Sequence, residues 1–240
     1  MEPRHWRVYV LRTWALPERM ERTKVSVARH DDDCHDRQQQ EQQLKQGELM
    51  GTDIEDGHVL TIGITGHRPN GLLGYAADAQ YAALRKLIAN RLVEIANGSH
   101  ARVITGGAQG ADQLAFWAAE DAKAVNALIE NVVYVPFDGQ DSRWRRDGLF
   151  GRDAYARMLE AADEVRIIMA GVNTANFTAV RMAMMARNHA IVDDSDIMIA
   201  ITMHGIAPGE RSGTAGTVRY ALKTGKTVSD FIAADALSTA

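Results

Sequence analysis

Residues 59–69 read VLTIGITGHRP, and this stretch decides the fold. Its apolar part, VLTIGI (59–64), has the length and composition of a strand that is buried on both faces. The strand is followed directly by Thr65, Gly66, His67, Arg68 and Pro69. Because Pro69 disfavours helical geometry at the residue before it, Arg68 is expected in an extended turn. Gly66 permits a close backbone approach to a ligand, and the imidazole and guanidinium that follow suit an anionic group.

The rest of the chain repeats this alternation of apolar runs and helical segments. Apolar side chains at helical spacing predict helices over residues 76–97, 111–129, 151–162, 177–190 and 214–224. Further strands are predicted over residues 101–105, 131–136, 164–169, 196–201 and 226–232. Strands that are buried on both faces and joined by helices indicate a parallel sheet. We therefore predict the α/β class: a Rossmann-like, doubly wound, mostly parallel sheet of about six strands with helices on both faces.

Composition divides the chain near residue 57. Residues 1–56 form a polar N-terminal extension that cannot bury much apolar surface, so we expect it to be disordered or loosely packed. Residues 57–240 form the predicted α/β domain. Met50 lies just before this boundary and offers an alternative start.

Charge and cysteine content exclude several classes of protein. The formal net charge is −4 at pH 7, which demands neither nucleic acid nor a membrane as partner. The single cysteine, Cys34, excludes an internal disulfide and favours a reducing, cytoplasmic location. No apolar run approaches the roughly 18 residues of a membrane span. The cluster HDDDCHD (30–36) lacks a second ligand pair at zinc spacing, so no metal site is predicted.

Glycines recur where the second predicted strand ends. The sequence TGGAQGAD (105–112) places Gly106, Gly107 and Gly110 between a strand and a helix. In a parallel sheet, ligands bind at the carboxyl ends of the strands, and the N–H groups of a helix N-terminus attract anions. Such glycines also serve simple turns. Asp112 is expected to cap the helix or, as the alternative, to contact a ribose hydroxyl.

The third strand is followed by an arginine-rich loop, FDGQDSRWRRDG (137–148). Arg143 is a candidate phosphate ligand, and Trp144 beside it offers a face on which a base could stack. Solvated surface is the simpler interpretation of such a loop.

Small and hydroxyl-bearing residues open the helix after the fifth strand. They are Ser212, Gly213, Thr214, Gly216 and Thr217. Small residues at a helix N-terminus are typical of a phosphate site. If all strands are parallel, the segments 65–68, 105–110 and 212–217 converge at one edge of the sheet.

Four of these stretches together resemble the SLOG superfamily, which is named after Smf/DprA and the LOG proteins. They are ITGHRP, TGGAQGAD, RNHAIVDDSDIMIA (187–200) and SGTAGTVRYALKTGK (212–226). The likeness is greatest to the YpsA-like branch and to related bacterial and phage proteins with a GHRP loop, and it covers about residues 58–230. It implies a Rossmann-like domain that binds a nucleotide or a nucleotide-derived ligand across its glycine-rich loops.

The chain departs from the LOG-type pattern P-G-G-x-G-T-x-x-E at a residue that matters for catalysis. Alignment of Gly216 and Thr217 with the pattern places Tyr220 at the position of the glutamate. A phenol with a pKa near 10 cannot replace a carboxylate that stabilises an oxocarbenium-like charge. Hydrolysis of the LOG type is therefore in doubt.

Several functions stay open at this level. The first is a sensor or sequestering module that binds a nucleotide-like small molecule and requires no cofactor. The second is a nucleotide-processing hydrolase, such as a phosphoribohydrolase, with His67, Asp112 or Asp138 as acid or base. The third is DprA-like binding of single-stranded DNA. In the fourth, the domain is a scaffold, and the sequence leaves self-association open. The stretch MAMMA (182–186) is expected in the core or, as the alternative, at a dimer interface.

Overall fold

The structure is a computed structural model that describes residues 58–238. Six strands form one sheet in the order β4-β3-β2-β1-β5-β6, and all five pairings are parallel. The strands are β1 (Leu60–Gly66), β2 (Ala101–Thr105), β3 (Ile129–Val135), β4 (Glu164–Ile167), β5 (Ile197–Thr202) and β6 (Thr227–Ile232). The predicted fold class is therefore confirmed. The predictions for residues 1–56 lie outside the described residues.

Helices cover both faces of the sheet. They are α1 (Asp78–Ala96), α2 (Ala111–Lys123), α3 (Arg152–Ala161), α4 (Phe177–Asp193), α5 (Gly213–Lys223) and α6 (Ala233–Ser238). One face carries α1, α2 and α6, and the other carries α4 and α5. Among residues 58–238, no helix is both long and apolar enough to cross a membrane.

The central strand β1 shows why this sequence forms a buried strand. Ile62 and Ile64 are fully buried beneath α1 and α2, and each contributes about 1.5–3 kcal/mol by leaving water. Gly63 points to the opposite face. A Cβ atom there would lie 2.2 Å from Ser195 Oγ and 2.4 Å from Met198 Sδ. A larger residue at this position would push the start of β5 away from β1.

One predicted helix is too long, and one helix was missed. The helix predicted over 111–129 ends at Lys123, because Asn126 reverses the chain. The Asn126 side chain donates to Ser99 O (3.0 Å) and accepts from Leu128 N–H (3.1 Å), and β3 begins directly afterwards. A short helix, α6, was not predicted.

The stretch MAMMA does not lie wholly in the core. Ala183 is buried, but the side chains of Met182 and Met185 are 59% and 49% exposed. The reason is that α4 rests on the sheet along one narrow stripe, formed by Ala183, Arg187 and Ile191. The two methionines lie off that stripe.

Candidate functional site

The strand order reverses between β1 and β5. From β1 the chain first adds β2, β3 and β4 on one side, and then crosses over to add β5 and β6 on the other side. The helices that follow β1 and β5 therefore pack on opposite faces of the sheet, and we call the edge of the sheet between their two loops the crevice. In doubly wound folds this reversal point is where ligands bind.

The loop after β1 ties together the three segments that the sequence analysis singled out. His67 N–H donates to Ile201 O at 2.9 Å, and His67 O accepts from Ala111 N–H at 3.1 Å. Thr214 Oγ1 donates to Gly66 O at 2.7 Å. Residues 65–68 thus contact both the start of α2 and the start of α5. The structure brings the three segments together at one edge of the sheet.

Gly66 has a packing role. A Cβ atom at this position would lie 2.3 Å from Ala111 Cβ and 2.5 Å from Ile201 O. The glycine is needed because α2 and β5 approach the end of β1 from two sides. The close backbone approach that the sequence predicted at Gly66 is made by the protein itself.

The glycines of the β2–α2 loop are likewise crowded by the protein. A Cβ at Gly106 would lie 1.2 Å from Arg187 Nη1, and one at Gly110 would lie 2.6 Å from His67 O. Gly107 (φ 63°) and Gly110 (φ 94°) also have left-handed backbone conformations that favour glycine. Close packing within the protein and the backbone conformation therefore favour glycine in this loop.

Beneath Gly106 lies a buried ion pair. Arg187 Nη1 donates to Asp112 Oδ2 at 3.1 Å, and the two side chains are 7% and 9% exposed. Burial raises the pKa of Asp112 against the opposing pull of Arg187, and burial lowers the pKa of Arg187. Arg187 Nε is buried and has no hydrogen-bond partner among residues 58–238. The guanidinium of Arg187, which belongs to α4, is therefore buried against the inner side of the β2–α2 loop.

The predicted role of Asp112 as a helix cap is wrong. The residue at the N-cap of α2 is Gly110, and no side chain caps this helix. Asp112 Oδ2 accepts from Ala108 N–H at 3.3 Å, within the loop that precedes the helix. Because its carboxylate faces the core and Arg187, Asp112 is poorly placed to act as an acid or base on a bound ligand.

The sequence analysis assigned no role to Arg187, although this residue opens the motif RNHAIVDDSDIMIA (187–200). A signal was nevertheless present. Arg187 stands four residues from both Ala183 and Ile191, which places it on the buried stripe of α4. A charge at a buried helical position requires a partner, and the partner here is 75 residues away in the chain.

The first turn of α5 has opposite surroundings. No atom lies within 4 Å of the position that a Cβ would take at Gly213, and the nearest to Gly216 is Arg219 Nη2 at 4.0 Å. Ser212 is the N-cap, and its Oγ accepts from Ala215 N–H at 3.1 Å. Thr217 Oγ1 donates to Gly213 O at 2.9 Å. The hydroxyls hold the helix start, whereas the glycines leave it open.

A carboxylate, Glu210, lies at this edge, and the sequence analysis missed it. Glu210 Oε1 accepts from Ser212 Oγ and lies 3.2 Å from His67 Nε2, while Oε2 accepts from Ala207 N–H at 3.1 Å. The hydrogen bond from Ser212, and after it that from Ala207, lowers the pKa of Glu210. The available signal was an acidic residue two positions before an N-cap serine.

His67 bridges the loops after β1 and β5. Its Nε2 faces Glu210, and its Nδ1 lies 3.3 Å from Gly71 O. Both neighbours are hydrogen-bond acceptors. A ring with a proton on each nitrogen satisfies both contacts, whereas either neutral tautomer satisfies one. His67 is therefore a partner of Glu210 and not a solvated loop residue.

The two candidate arginines differ in their engagement. Arg68 is exposed and, within residues 58–238, has no hydrogen bond or ion pair through its side chain. Its charge acts on both Asp112 and Arg187, so it lies on the β2 side of the loop after β1. Arg143 Nη2 donates to Thr174 O at 3.2 Å in the loops after β3 and β4.

Two aromatic residues are committed elsewhere. The ring of Trp144 is partly buried and packs edge-on against Tyr155, with centroids 5.1 Å apart, so it is not a free stacking platform. Tyr220, which aligns with the LOG-type glutamate, stacks on His189 and donates to Asp193 Oδ1 at 2.9 Å. Asp193 ends α4 ahead of β5, so this hydroxyl points away from the crevice. Asp138 is exposed in the loop after β3.

A separate hollow lies between α1, α2 and the loop before α3. It has a volume of about 130 Å³, and its walls include Tyr81, Trp117 and Phe150. The hollow lies between the first turns of α1 and α2, and Asp78 and Arg85 are the charged residues of its lining. No cluster of potential metal ligands is found among residues 58–238.

Comparison with known proteins gives a family match. The YpsA model, described as the YspA SLOG family, matches residues 62–224. The chain is 33% identical over 130 residues to the uncharacterized SPbeta prophage-derived protein YoqJ of Bacillus subtilis (strain 168), covering 51% of this chain and 70% of YoqJ.

Two solved structures align with this chain at low similarity. DNA processing protein A (DprA) from Streptococcus pneumoniae aligns with a TM-score of 0.45 and 14% identity, covering 71% of this chain and 49% of that chain. The molybdenum cofactor carrier protein from Chlamydomonas reinhardtii aligns with a TM-score of 0.39 and 19% identity, and the alignment covers 71% of this chain and 75% of that chain. The chain thus spans about half the length of the DprA chain. These likenesses concern the fold alone.

Proposed function

The chain belongs to the YspA SLOG family, and from this premise we propose that it binds a nucleotide or a nucleotide-derived ligand in the crevice between the loops after β1 and β5. The observation that carries the proposal is the convergence of residues 65–68 with the starts of α2 and α5. The resemblance inferred from four sequence motifs is confirmed at the level of the superfamily. The cytoplasmic location inferred from Cys34 stays a prediction.

The chemistry of the crevice suits such a ligand. Arg68 offers a planar guanidinium, which recognises phosphate through two parallel hydrogen bonds. Gly213 leaves the first turn of α5 open, so its backbone can be approached closely. Glu210 adds an acceptor for the neutral part of the ligand, and His67 contacts the same carboxylate. A sensor or sequestering module needs no more than this.

Ligand binding can be tested by thermal shift with the full chain. The panel comprises nucleoside mono- and diphosphates, ADP-ribose and cyclic nucleotides. A ligand at one hundred times its dissociation constant adds about 2.7 kcal/mol of stability, which raises the melting temperature by several degrees. Denaturing the purified protein and identifying released small molecules by mass is the complementary measurement. If no nucleotide shifts the melting temperature and none is released, the proposal fails.

A matched pair of variants localises the binding. Gly213→Val fills the open side of the α5 start and is expected to abolish the shift while leaving the unliganded protein folded. Thr178→Val places the same side chain in the first turn of α4 and is expected to leave the shift unchanged. Equal shifts in both variants would move the site away from α5.

A second candidate function, hydrolysis of the ligand's N-glycosidic bond, is favoured by one observation. Glu210 supplies the crevice with a carboxylate although Tyr220 stands at the position of the LOG-type glutamate. In that reaction water would provide a hydroxyl group to C1′ and a proton to the departing base. Incubation with nucleoside monophosphates and detection of the free base tests it. Binding without release of base leaves the first proposal standing and removes the second.

DprA-like binding of single-stranded DNA lacks comparable support. The tryptophan proposed as a stacking platform packs against Tyr155. Electrostatic binding to an oligonucleotide would weaken steeply as salt rises. A flat salt dependence, or no binding, would exclude this function.

A further inference from the structure

The loop after β1 divides the crevice into two chemically different halves. His67 leans towards the loop after β5, where its Nε2 meets Glu210 at 3.2 Å. The backbone of Arg68 lies against the β2–α2 loop, where its Cα is 2.9 Å from the position of a Cβ at Gly110, and its charge acts on both Asp112 and Arg187. One half therefore presents a carboxylate and the other presents a cation.

The Glu210 carboxylate is held in place in advance of any ligand. Ser212 Oγ, Ala207 N–H and His67 Nε2 all contact its two oxygens, and Arg219 Nη1 donates to Glu210 O at 2.8 Å. The side chain is 23% exposed, so part of it still faces solvent. A carboxylate has about four lone-pair sites, so it can accept a further hydrogen bond. It can receive a hydroxyl or an amino group, and it repels a phosphate.

The Arg68 half is suited to the opposite kind of group. Within residues 58–238 no carboxylate pairs with Arg68. The guanidinium of Arg187 lies beneath Gly106, and its Nε is buried without a hydrogen-bond partner. Asp112 offsets the charge of Arg187, which leaves Arg68 as the uncompensated cation of this half.

From this division we infer that the ligand is a ribonucleotide, with a ribose hydroxyl bound to Glu210 and its phosphate bound to Arg68. The inference rests on the proposed function and deepens it. A carboxylate that accepts from a ribose hydroxyl distinguishes ribose from the deoxyribose that lacks this hydroxyl, because one hydrogen bond to a charged acceptor is lost. The crevice thus selects against deoxyribonucleotides.

The test is a titration of the full chain by calorimetry with AMP, GMP, CMP and UMP and with their 2′-deoxy and 3′-deoxy forms. Loss of a ribose hydroxyl is expected to weaken binding about tenfold or more, as for a hydrogen bond to a charged group. Glu210→Gln is expected to remove most of that discrimination. Glu94→Gln, an exposed glutamate on α1, is the matched control and should preserve it.

The orientation of the ligand is tested with two arginine variants. Arg68→Ala should weaken binding of the monophosphate about tenfold while sparing the corresponding nucleoside. Arg211→Ala removes an exposed arginine beside Glu210 and should leave both affinities unchanged. If Arg211→Ala instead abolishes the contribution of the phosphate, the assigned orientation is wrong.

The outcomes separate the two proposals. Equal affinity for ribo- and deoxyribonucleotides, or discrimination that survives in Glu210→Gln, overturns the inference and leaves nucleotide binding intact. If no nucleotide of either series binds, the proposed function fails and the inference fails with it.

Discussion

The two glycine-rich loops look alike in the sequence but have opposite surroundings. In the β2–α2 loop, atoms of Arg187 and His67 occupy the space that side chains at Gly106 and Gly110 would need. At the start of α5, Gly213 and Gly216 face open space. A glycine can be required by the protein's own packing or kept for a ligand, and the sequence does not distinguish these cases. The glycines of the β2–α2 loop are required by packing within the protein, whereas those at the start of α5 leave room for a ligand.

Two Gly→Ala substitutions test the difference between the two loops, and we expect them to have the largest effect. Gly110→Ala forces alanine into a left-handed backbone conformation and places its Cβ 2.6 Å from His67 O. We therefore expect the free energy of unfolding to fall by about 3 kcal/mol or more. Gly216→Ala is the control in open space within α5, and we expect a gain of about 0.5–1 kcal/mol. Urea denaturation measures both. Equal losses would show that the two loops are packed alike.

The buried ion pair gives the next largest effect. Arg187→Met leaves the Asp112 carboxylate buried without its partner, so we expect a loss of about 3 kcal/mol in the free energy of unfolding. The double variant Arg187→Met/Asp112→Leu removes both charges and is expected to recover at least half of that loss. Denaturation of both single variants and the double variant gives the coupling energy. Simple additivity of the two losses would show that the pair does not act as a unit.

The N-cap of α5 has a smaller expected effect. Ser212→Ala removes the acceptor of Ala215 N–H and should lower the free energy of unfolding by about 1 kcal/mol. Asn176→Ala removes the equivalent N-cap of α4, which accepts from Ala179 N–H at 3.1 Å, and provides a matched control. We expect similar losses in stability, but only Ser212→Ala should reduce nucleotide affinity, because only Ser212 also holds Glu210.

The smallest effect is the pH dependence contributed by Glu210. Its pKa is lower in the folded chain than in the unfolded chain, so its contribution to stability is present above pH values of about 4.3 and is lost as the pH falls further. The melting temperature of the wild type should therefore be higher than that of Glu210→Gln at pH 7, and the difference between the two temperatures should disappear towards pH 3. Melting curves across this range measure the gap. A gap that widens at low pH would contradict the lowered pKa.

Six strands were predicted from apolar runs alone because strands buried on both faces leave a continuous signal. The predicted bounds of β2 agree with the structure, and those of the other five strands differ by one or two residues. The failures have local causes. Asn126 ends α2 early through its side-chain hydrogen bonds, which composition does not reveal. The exposed Met182 and Met185 follow from the narrow stripe along which α4 meets the sheet.

For the candidate site, the residue types around the strand ends were predictable but their partners were not. Parallel wiring requires that the ends of β1, β2 and β5 share an edge, so the gathering of His67, Arg68 and Ser212 followed from the sequence. The contact between His67 and Glu210 spans 143 positions in the chain. Only the packing of the two loops against each other reveals such a pair.

The sequence by itself determined the parallel α/β architecture and its carboxyl-edge loops, because hydrophobic periodicity and glycine placement are local properties. The tertiary structure alone decided which glycines are crowded by other residues, which arginine is buried and which carboxylate faces the crevice. Those outcomes depend on contacts between residues distant in the chain, and such contacts form only when the two faces of the sheet are covered.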